Sequence, residues 1–191
     1  MTGERVMSCC ELETERLLLR PPIEADADAL TQLANDYDVA KNLSRLPHPY
    51  TRADAGFFLE KVKEGRAAGT DFNFAVTRKS DGAFLGGCGL HLREHGYFEL
   101  GYWLGRPFWG HGYASEAARR LASFGFRELR AERLLAGWFH DNPASGRVLE
   151  KTGFVLTGAD RRDCRARGHA VYCHTVTLTP DAFSQTRKQA A

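Results

Sequence analysis

Cysteine is scarce in this sequence of 191 residues, and its five cysteines are unsuited to metal binding or cross-linking. No CxxC pair of the kind that binds zinc is present, and five scattered thiols do not form a disulfide framework. Cys9 and Cys10 are adjacent, a spacing that fits neither a metal clamp nor an ordinary disulfide. We therefore expect free thiols in a reducing cytosol and no bound metal.

Charge of one sign is not in excess either, and long apolar runs are missing. Lys and Arg number 26 against 24 Asp and Glu, and the resulting net charge of +2 predicts neither a nucleic-acid nor a membrane partner. No segment is apolar enough over its length to be a signal peptide or to span a membrane. These absences predict a cytoplasmic protein, with monomer and homodimer both left open.

Internal repeats, low-complexity tracts and linkers are absent as well. The length suits one domain covering residues 1–191, and a hydrophobic content of 43% is enough for a core. The stretches at the two ends lack regular patterning. The ordered core is therefore predicted at about residues 12–181, with flexible termini on either side.

The rest of the sequence alternates between strand and helix patterns. The predicted elements, in chain order, are a strand at 15–20, a helix at 23–35, a short helix near 36–43, a helix from Thr51 to about Ala67, strands around Phe72, at 83–94 and at 98–104, a helix from about Tyr113, a strand at 133–139, a short helix between Asn142 and Gly153, and strands from about Phe154 and Ala170. The three middle strands favour an antiparallel meander. RRDCRARGH, residues 161–169, is predicted as a basic turn between the last two strands. The order indicates a mixed α/β sheet domain.

Two glycines surround a histidine in RPFWGHGYASEA, residues 106–117, where a strand ends and a helix begins. The free backbone N–H groups of such a turn, together with the helix dipole, form an anion site suited to phosphate. Gly110 and Gly112 would let a pyrophosphate approach the backbone. GHGYAS lacks the lysine of a P-loop, and Ser115 stands where a dinucleotide fingerprint has its third glycine. A pyrophosphate held by amides alone and a plain structural turn both remain open.

A second segment, DNPASGRVLEKTGF at residues 141–154, follows the next strand. Together the two segments resemble the GNAT superfamily of acyl-CoA-dependent N-acyltransferases, and in detail its RimJ/RimL branch of ribosomal-protein N-terminal acetyltransferases. ETERLLLRP, LPHPYT and ELGYWL resemble that branch's first strand, its substrate-side loop and the strand before its pyrophosphate loop. The resemblance implies an α+β fold with a central, mostly antiparallel twisted sheet of about seven strands. In that fold the fourth and fifth strands splay apart, and about four helices flank the sheet.

The resemblance also implies acetyl-CoA as the cofactor, with its pantetheine arm between the splayed strands. Backbone groups near Trp103 and Leu104 would pair with that arm, and the amides of residues 109–114 would hold the pyrophosphate. The implied cofactor-binding residues are Trp103, Leu104, Trp109, Gly110, His111, Gly112, Tyr113, Ala114, Ser115, Asn142 and Ser145. One departure is Pro107, where the broader motif often has Gln or Arg, and Arg106 is the nearest substitute.

An amine must lose a proton before it attacks a thioester, so a general base is expected. Family members often use a glutamate in this region. Glu99 is the first choice, although pairing with a surface arginine explains it equally well, and Glu116 is a weaker choice. Many relatives protonate the leaving thiolate with a tyrosine where this sequence has Leu149. The branch resemblance points instead to Ser145, with Asn142 positioning the pantetheine or thioester and also capping the following helix.

These residues predict transfer of acetyl from acetyl-CoA to a primary amine by direct attack in a ternary complex. The branch suggests a protein N-terminal α-amine as the acceptor, and a small amine such as an antibiotic or metabolite is the alternative. A non-catalytic acyl-CoA sensor is a third hypothesis, motivated by Leu149. His48, in the substrate-side loop, is a candidate acceptor contact or a plain exposed residue. The remaining histidines that show no metal-like spacing and receive no role are His91, His95, His140, His169 and His174.

Overall fold

The computed structural model of the chain describes residues 11–93 and 96–189. Cys9, Cys10, His95 and the predicted flexible segment before residue 11 lie outside these residues. Within them, Cys88, Cys164 and Cys173 are buried free thiols. No helix in the two described ranges is both long enough and apolar enough to cross a membrane.

Eight strands and six helices make up the described part of the chain. The strands are β1 (Leu12–Glu13), β2 (Leu17–Arg20), β3 (Asp71–Arg78), β4 (Phe84–Leu92), β5 (Phe98–Leu104), β6 (Leu134–Phe139), β7 (Val155–Cys164) and β8 (His169–Leu178). The helices are α1 (Ala27–Ala34), α2 (Tyr37–Ala40), α3 (Arg52–Ala68), α4 (Tyr113–Arg127), α5 (Pro143–Thr152) and α6 (Pro180–Gln189). Two 3₁₀ turns, Glu24–Asp26 and Arg106–Phe108, precede α1 and α4.

All eight strands form one sheet in the order β1-β2-β3-β4-β5-β6-β8-β7. Neighbouring strands are antiparallel except β5 and β6, which run parallel. The predicted meander of β3, β4 and β5 is confirmed. The expected α+β fold class is confirmed as well, although the described residues contain more strands and helices than the resemblance implied. One of the additions is β1, which pairs with β2, and another is α6, which no sequence pattern predicted.

Local sequence signals set the ends of α3. The Thr51 hydroxyl accepts a hydrogen bond from the Asp54 N–H at 3.3 Å, and Asp54 Oδ2 accepts one from the Thr51 N–H at 2.9 Å. These two bonds are the capping box that the sequence predicts. Gly69 then ends the helix with φ at 70°, a conformation that glycine adopts without steric cost.

Hydrophobic residues cover both faces of the sheet. The main core lies between the sheet and α4, whose buried residues include Ala117, Leu121 and Phe124. A smaller cluster lies between α1 and α3, and Trp103 packs against it. Leu104 belongs to the main core, and successive strand residues point to opposite faces. The helices α1 and α3 therefore cover the face opposite to α4.

The predicted basic turn at residues 161–169 is wrong for its first four residues, which belong to β7, and for its last, His169, which begins β8. β7 continues to Cys164, and only residues 165–168 form the turn. Arg161 and Arg162 pair in antiparallel register with Tyr172 and Val171 of β8. β7 is an edge strand of the sheet, and most of its residues are exposed. A run of charged residues is therefore compatible with a strand at this position.

Candidate active site

The sheet opens between β5 and β6. Their parallel pairing contains two residue pairs, Phe98 with Leu134 and Glu99 with Leu135. β5 nevertheless continues to Leu104 and β6 to Phe139, so the strands diverge beyond the second pair. The splay therefore presents strand-like backbone inside the sheet, to which an extended chain carrying amides can add.

Leu104 lies at the edge of this opening. The next residue, Gly105, donates its N–H to the Leu85 carbonyl at the β4 side, at 2.8 Å. Because backbone groups alternate along a strand, Leu104 directs its N–H and carbonyl toward the splay, whereas Trp103 directs its own toward β4. The Leu104 carbonyl accepts a hydrogen bond from Trp109 Nε1 at 2.7 Å and keeps a second lone pair. The geometry favours Leu104 over Trp103 as a backbone partner for the pantetheine arm.

The glycine loop before α4 has the conformation that only glycine adopts readily. Gly110 and Gly112 have φ values of 79° and 81°, and a Cβ at Gly110 would meet no atom within 4 Å. Gly112 is the N-cap residue of α4 and supplies no capping side chain. The first N–H groups of α4 have no partner within the helix. These groups and the open space beside Gly110 fit a pyrophosphate held by amides.

Arg16 holds this loop in place. Its guanidinium donates to the His111 carbonyl at 3.0 Å, lies 4.6 Å from the centre of the Tyr113 ring and pairs with Glu116. Glu116 also accepts from the Thr14 hydroxyl at 2.6 Å and from the Arg16 N–H. Burial opposes ionisation of Glu116, but these bonds outweigh it and keep its pKa below the usual value. The contacts give Glu116 a structural explanation, in line with its lower rank as a base.

Two other polar residues of this region form contacts of their own. His111 Nδ1 is 2.8 Å from the Trp109 carbonyl, so the ring folds back onto its own loop. The exposed Arg106 side chain pairs with Asp36 at 3.1 Å and with Asp38 at 3.4 Å. Arg106 is therefore engaged by the segment that begins α2.

Ser145 and Tyr102 form a bridge across the splay. The hydroxyl of Tyr102 on β5 is 2.8 Å from Ser145 Oγ on α5 and also donates to the Ser145 carbonyl at 3.0 Å. Burial raises the pKa of Tyr102, so its hydroxyl stays protonated at neutral pH. Sequence reasoning missed Tyr102. The available signal was a tyrosine among residues that face the core, because a tyrosine hydroxyl in such a place needs a partner.

Asn142 caps the start of α5, and Leu149 lies within the helix. The Asn142 side chain accepts from the Ser145 N–H at 3.2 Å, which confirms its predicted N-cap role. Leu149 is 1% exposed and packs in the main core. Leu149 therefore offers no hydroxyl, whereas the Tyr102–Ser145 pair near the start of α5 holds two.

Glu99 is held by two arginines. Its Oε1 pairs with Arg162 on β7 and its Oε2 with Arg93, and its side chain is 12% exposed. Gly137 on β6 lies beside this contact: a Cβ there would crowd the His174 carbonyl at 2.8 Å and would reach ordinary contact with the Arg162 guanidinium at 3.4 Å. Burial raises the pKa of Glu99, but the charges of Arg162 and Arg93 outweigh it and keep the pKa below the usual value. Both carboxylate oxygens are therefore engaged.

A cavity of about 1200 Å³ joins the glycine loop to the face of the sheet under α3. Its lining includes Gly87, Gly89 and Gly101, three strand glycines that leave this part of the sheet without side chains. The segment before α3 forms one wall through Pro47 and Tyr50. The predicted cofactor residues that line the cavity are Trp103, Leu104, Trp109, Gly110, Gly112, Tyr113, Ala114, Ser115, Asn142 and Ser145.

His48 stands beside this cavity. Its ring is exposed and lies 5.3 Å from the ring of Tyr37, measured between centroids. The cavity lining includes the preceding Pro47 but not His48 itself, as far as the described residues go. A contact between His48 and an acceptor stays a prediction.

Comparisons with known proteins agree with this geometry. The family model of the acetyltransferase (GNAT) domain matches residues 16–155. An uncharacterized N-acetyltransferase of Bacillus licheniformis, p20, is 31% identical over 169 residues, which are 87% of this chain and 94% of that protein. Mycobacterium smegmatis RimJ, solved with a CoA-disulfide, has a TM-score of 0.79 at 20% identity, covering 91% of this chain and 89% of its own. RimL, a ribosomal L7/L12 α-N-protein acetyltransferase solved with coenzyme A, has a TM-score of 0.79 at 19% identity, covering 90% of this chain and 99% of its own.

Proposed function

The chain belongs to the acetyltransferase (GNAT) family, and from that premise we propose that it acetylates the α-amine of a peptide or protein N-terminus. Dependence on an acyl-CoA follows from the family, whereas the acceptor and its direct attack in a ternary complex are the proposal. One observation carries it: a single cavity of about 1200 Å³ connects the glycine loop with the glycine-lined face of the sheet. Two substrates can therefore meet inside it, as direct attack requires.

The residues of the cofactor half fit acetyl-CoA, which supplies the acyl group as a thioester. We assign the amides of residues 109–114 to the pyrophosphate, since the two glycines leave their backbone open. Leu104 offers an N–H and a lone pair to an extended amide-bearing chain in the splay. Ser115 adds a hydroxyl in the first turn of α4, and Asn142 holds the start of α5 against the same opening.

The proposed proton donor to the departing sulfur is the Ser145 hydroxyl, supported by Tyr102. Both residues line the cavity, and their hydroxyls are 2.8 Å apart. Since the Tyr102 hydroxyl stays protonated at neutral pH, the pair can deliver a proton without either group being ionised beforehand. Glu99 is the candidate base from the sequence; its two arginines keep it ionised but reduce its basicity.

An extended acceptor suits the shape of the other half. The cavity reaches from the splay to the wall formed by α3 and the segment that contains Pro47 and Tyr50. Its volume exceeds the ~300–1,000 Å³ of ordinary small-molecule pockets, as a site for a cofactor and a peptide end should. The fold shared with RimJ and RimL adds support for an N-terminal acceptor.

An acceptor screen tests the proposal. Release of the CoA thiol is followed with the purified protein, acetyl-CoA, and matched sets of peptides with free N-termini, the same peptides with blocked N-termini, and small amines. Turnover that requires a free peptide N-terminus is the expected result. Turnover confined to small amines would overturn the peptide acceptor, and tight acetyl-CoA binding without turnover of any amine would favour the sensor hypothesis.

A further inference from the structure

His91 and Asp71 form a hydrogen-bonded pair that the sequence did not connect. His91 Nδ1 is 2.6 Å from Asp71 Oδ1, and the two residues stand opposite each other in the β3–β4 register. Thr70 donates its hydroxyl to the other Asp71 oxygen at 3.2 Å. Gly65 of α3 makes room for Asp71, because a Cβ at Gly65 would lie 2.6 Å from the Asp71 Cβ. The sheet and α3 therefore fix this carboxylate beside the imidazole.

The pairing determines which ring nitrogen carries the proton. An ionised carboxylate only accepts hydrogen bonds, so Nδ1 of His91 is the donor and Nε2 of the neutral ring keeps a lone pair. Among the described residues, Nε2 has no hydrogen-bond partner. It faces the side-chain-free strip of the sheet, 3.9 Å from the place where a Cβ of Gly101 would be. The lone pair therefore borders the cavity where an acceptor would lie.

The surroundings keep the ring neutral. Burial is the main cause that lowers the pKa of His91; Asp71 opposes it, and the charges of Arg45 and Arg93 lower the pKa further. Glu99 stands opposite His91 in the β4–β5 register, with its charge taken up by Arg93 and Arg162. The neutral form of His91 therefore predominates at pH 7, and this form can accept a proton.

Glu99 and His91 lie on the same face of the sheet as cross-strand neighbours, yet they differ in what they can accept. Both oxygens of Glu99 are bound to arginines, whereas Nε2 of His91 is open to the cavity. A general base must reach the proton it removes with an unshared pair. On this criterion His91 is better placed than Glu99.

We propose that His91, oriented by Asp71, is the general base of the acetyl transfer, an inference that rests on the proposed function. Nε2 takes one proton from the acceptor ammonium. The freed nitrogen lone pair bonds to the acyl carbon, and the carbon–sulfur bond breaks with its electron pair on sulfur. The second N–H proton reaches the sulfur through the hydroxyls of Ser145 and Tyr102, and His91 returns its proton to solvent. Asp71 is a positioning residue, since it acts only through His91.

The first test replaces the base. His91→Asn keeps an N–H for Asp71 but has no basic lone pair, and His140→Asn is the control, because His140 is exposed and does not line the cavity. With the acceptor found in the screen, H91N should lower kcat by about 100-fold, with an unchanged acetyl-CoA Kd. The wild-type pH profile should show an acid limb below the ordinary histidine pKa of 6.5, and H91N should lack it. An unchanged melting temperature shows that H91N folds.

The second test needs no substrate. Nitrogen-15 NMR of the imidazole rings in the free protein should show His91 protonated at Nδ1, with a pKa below 6.5. Asp71→Asn should remove that tautomer preference and lower the pKa further, because Asp71 favours the charged ring, and Asp71→Glu should restore both in part. A His91 ring protonated at Nε2 would overturn the proposal, and so would an H91N enzyme with wild-type kcat. Either of these two results would leave the proposed function standing, because the wild-type enzyme would still acetylate an amine. If the wild-type enzyme turned over no amine at all, both the proposed function and the role of His91 would be wrong.

Discussion

The two halves of the cavity are built from different parts of the chain. The cofactor half uses backbone groups from short continuous segments, the glycine loop before α4 and the start of α5. The acceptor half uses side chains that four separate strands bring together, namely Asp71, His91, Glu99 and Arg162. A substitution in the first half should therefore act through backbone conformation, and one in the second half through charge and hydrogen bonding.

Apart from His91→Asn, the largest effect is expected in the cofactor half. Gly112→Val puts a β-branched side chain at φ 81°, which costs on the order of 2 kcal/mol, and its Cβ would approach Arg16. We expect the acetyl-CoA Kd, measured by calorimetry, to rise about 30-fold. Gly82→Val is the matched control, because Gly82 has a φ of 70° in a turn that does not line the cavity. An unchanged Kd in G112V would leave the motif as a plain turn.

Ser145→Ala tests the bridge between the halves. Tyr102 keeps its hydrogen bond to the backbone carbonyl of residue 145, so the fold should be retained. We expect kcat for thiol release to fall about tenfold, because the hydroxyl next to the departing sulfur is lost. The acetyl-CoA Kd should change little. Wild-type kcat in this variant would contradict the assigned proton donor.

In the acceptor half, Arg162→Gln tests the ion pair of Glu99. The pKa of Glu99 is lowered in the folded protein, so the ionised group stabilises the fold above its ordinary pKa near 4.5. That contribution is lost as the pH falls through the lower folded pKa. R162Q should therefore lose ~1 kcal/mol of unfolding free energy at pH 7, which lowers the melting temperature by about 2–4 °C. The difference from wild type should vanish at acid pH.

The neighbouring Arg161→Gln is the control for that experiment. Arg161 is exposed and donates to the Ala170 carbonyl of β8. It should change the melting temperature by less than R162Q at every pH. Equal losses in the two variants would mean that Glu99 contributes no specific stability.

Gly101→Ala should produce the smallest effect. The new methyl group fits without a clash, since its nearest neighbours are His91 ring atoms at 3.9–4.0 Å. It narrows the space in front of Nε2, and we expect the acceptor KM to rise about threefold, or ~0.6 kcal/mol. Gly56→Ala in α3, where a Cβ meets no atom within 4 Å, serves as the control and should leave KM unchanged. A KM for G101A equal to wild type would place the acceptor away from His91.

The contrast between the halves also explains how far the sequence alone could predict the site. The glycine pair around His111 and the Asn142–Pro143 start of α5 are local signals, since turn and cap conformations depend on adjacent residues. The meander followed from strand patterns that are close in sequence. These parts of the fold could be predicted without knowing the sheet order.

Contacts between strands that are distant in sequence could not be predicted from the sequence alone. Glu99 and Arg162 are 63 positions apart, and their contact depends on the strand order β5-β6-β8-β7. The register that places His91 opposite Asp71 depends on the length of the β3–β4 turn. The extent of β7 was missed because an edge strand tolerates charged residues, which a single sequence shows only as a polar run.

The central claim is that an amine attacks directly while acetyl-CoA is bound in the same cavity. Steady-state kinetics in which both substrate concentrations are varied test this claim most directly. Initial rates of thiol release are measured at crossed concentrations of acetyl-CoA and a peptide with a free N-terminus. The account predicts double-reciprocal lines that intersect, as a ternary complex requires. Parallel lines would indicate an acyl-enzyme formed before the amine binds and would contradict it.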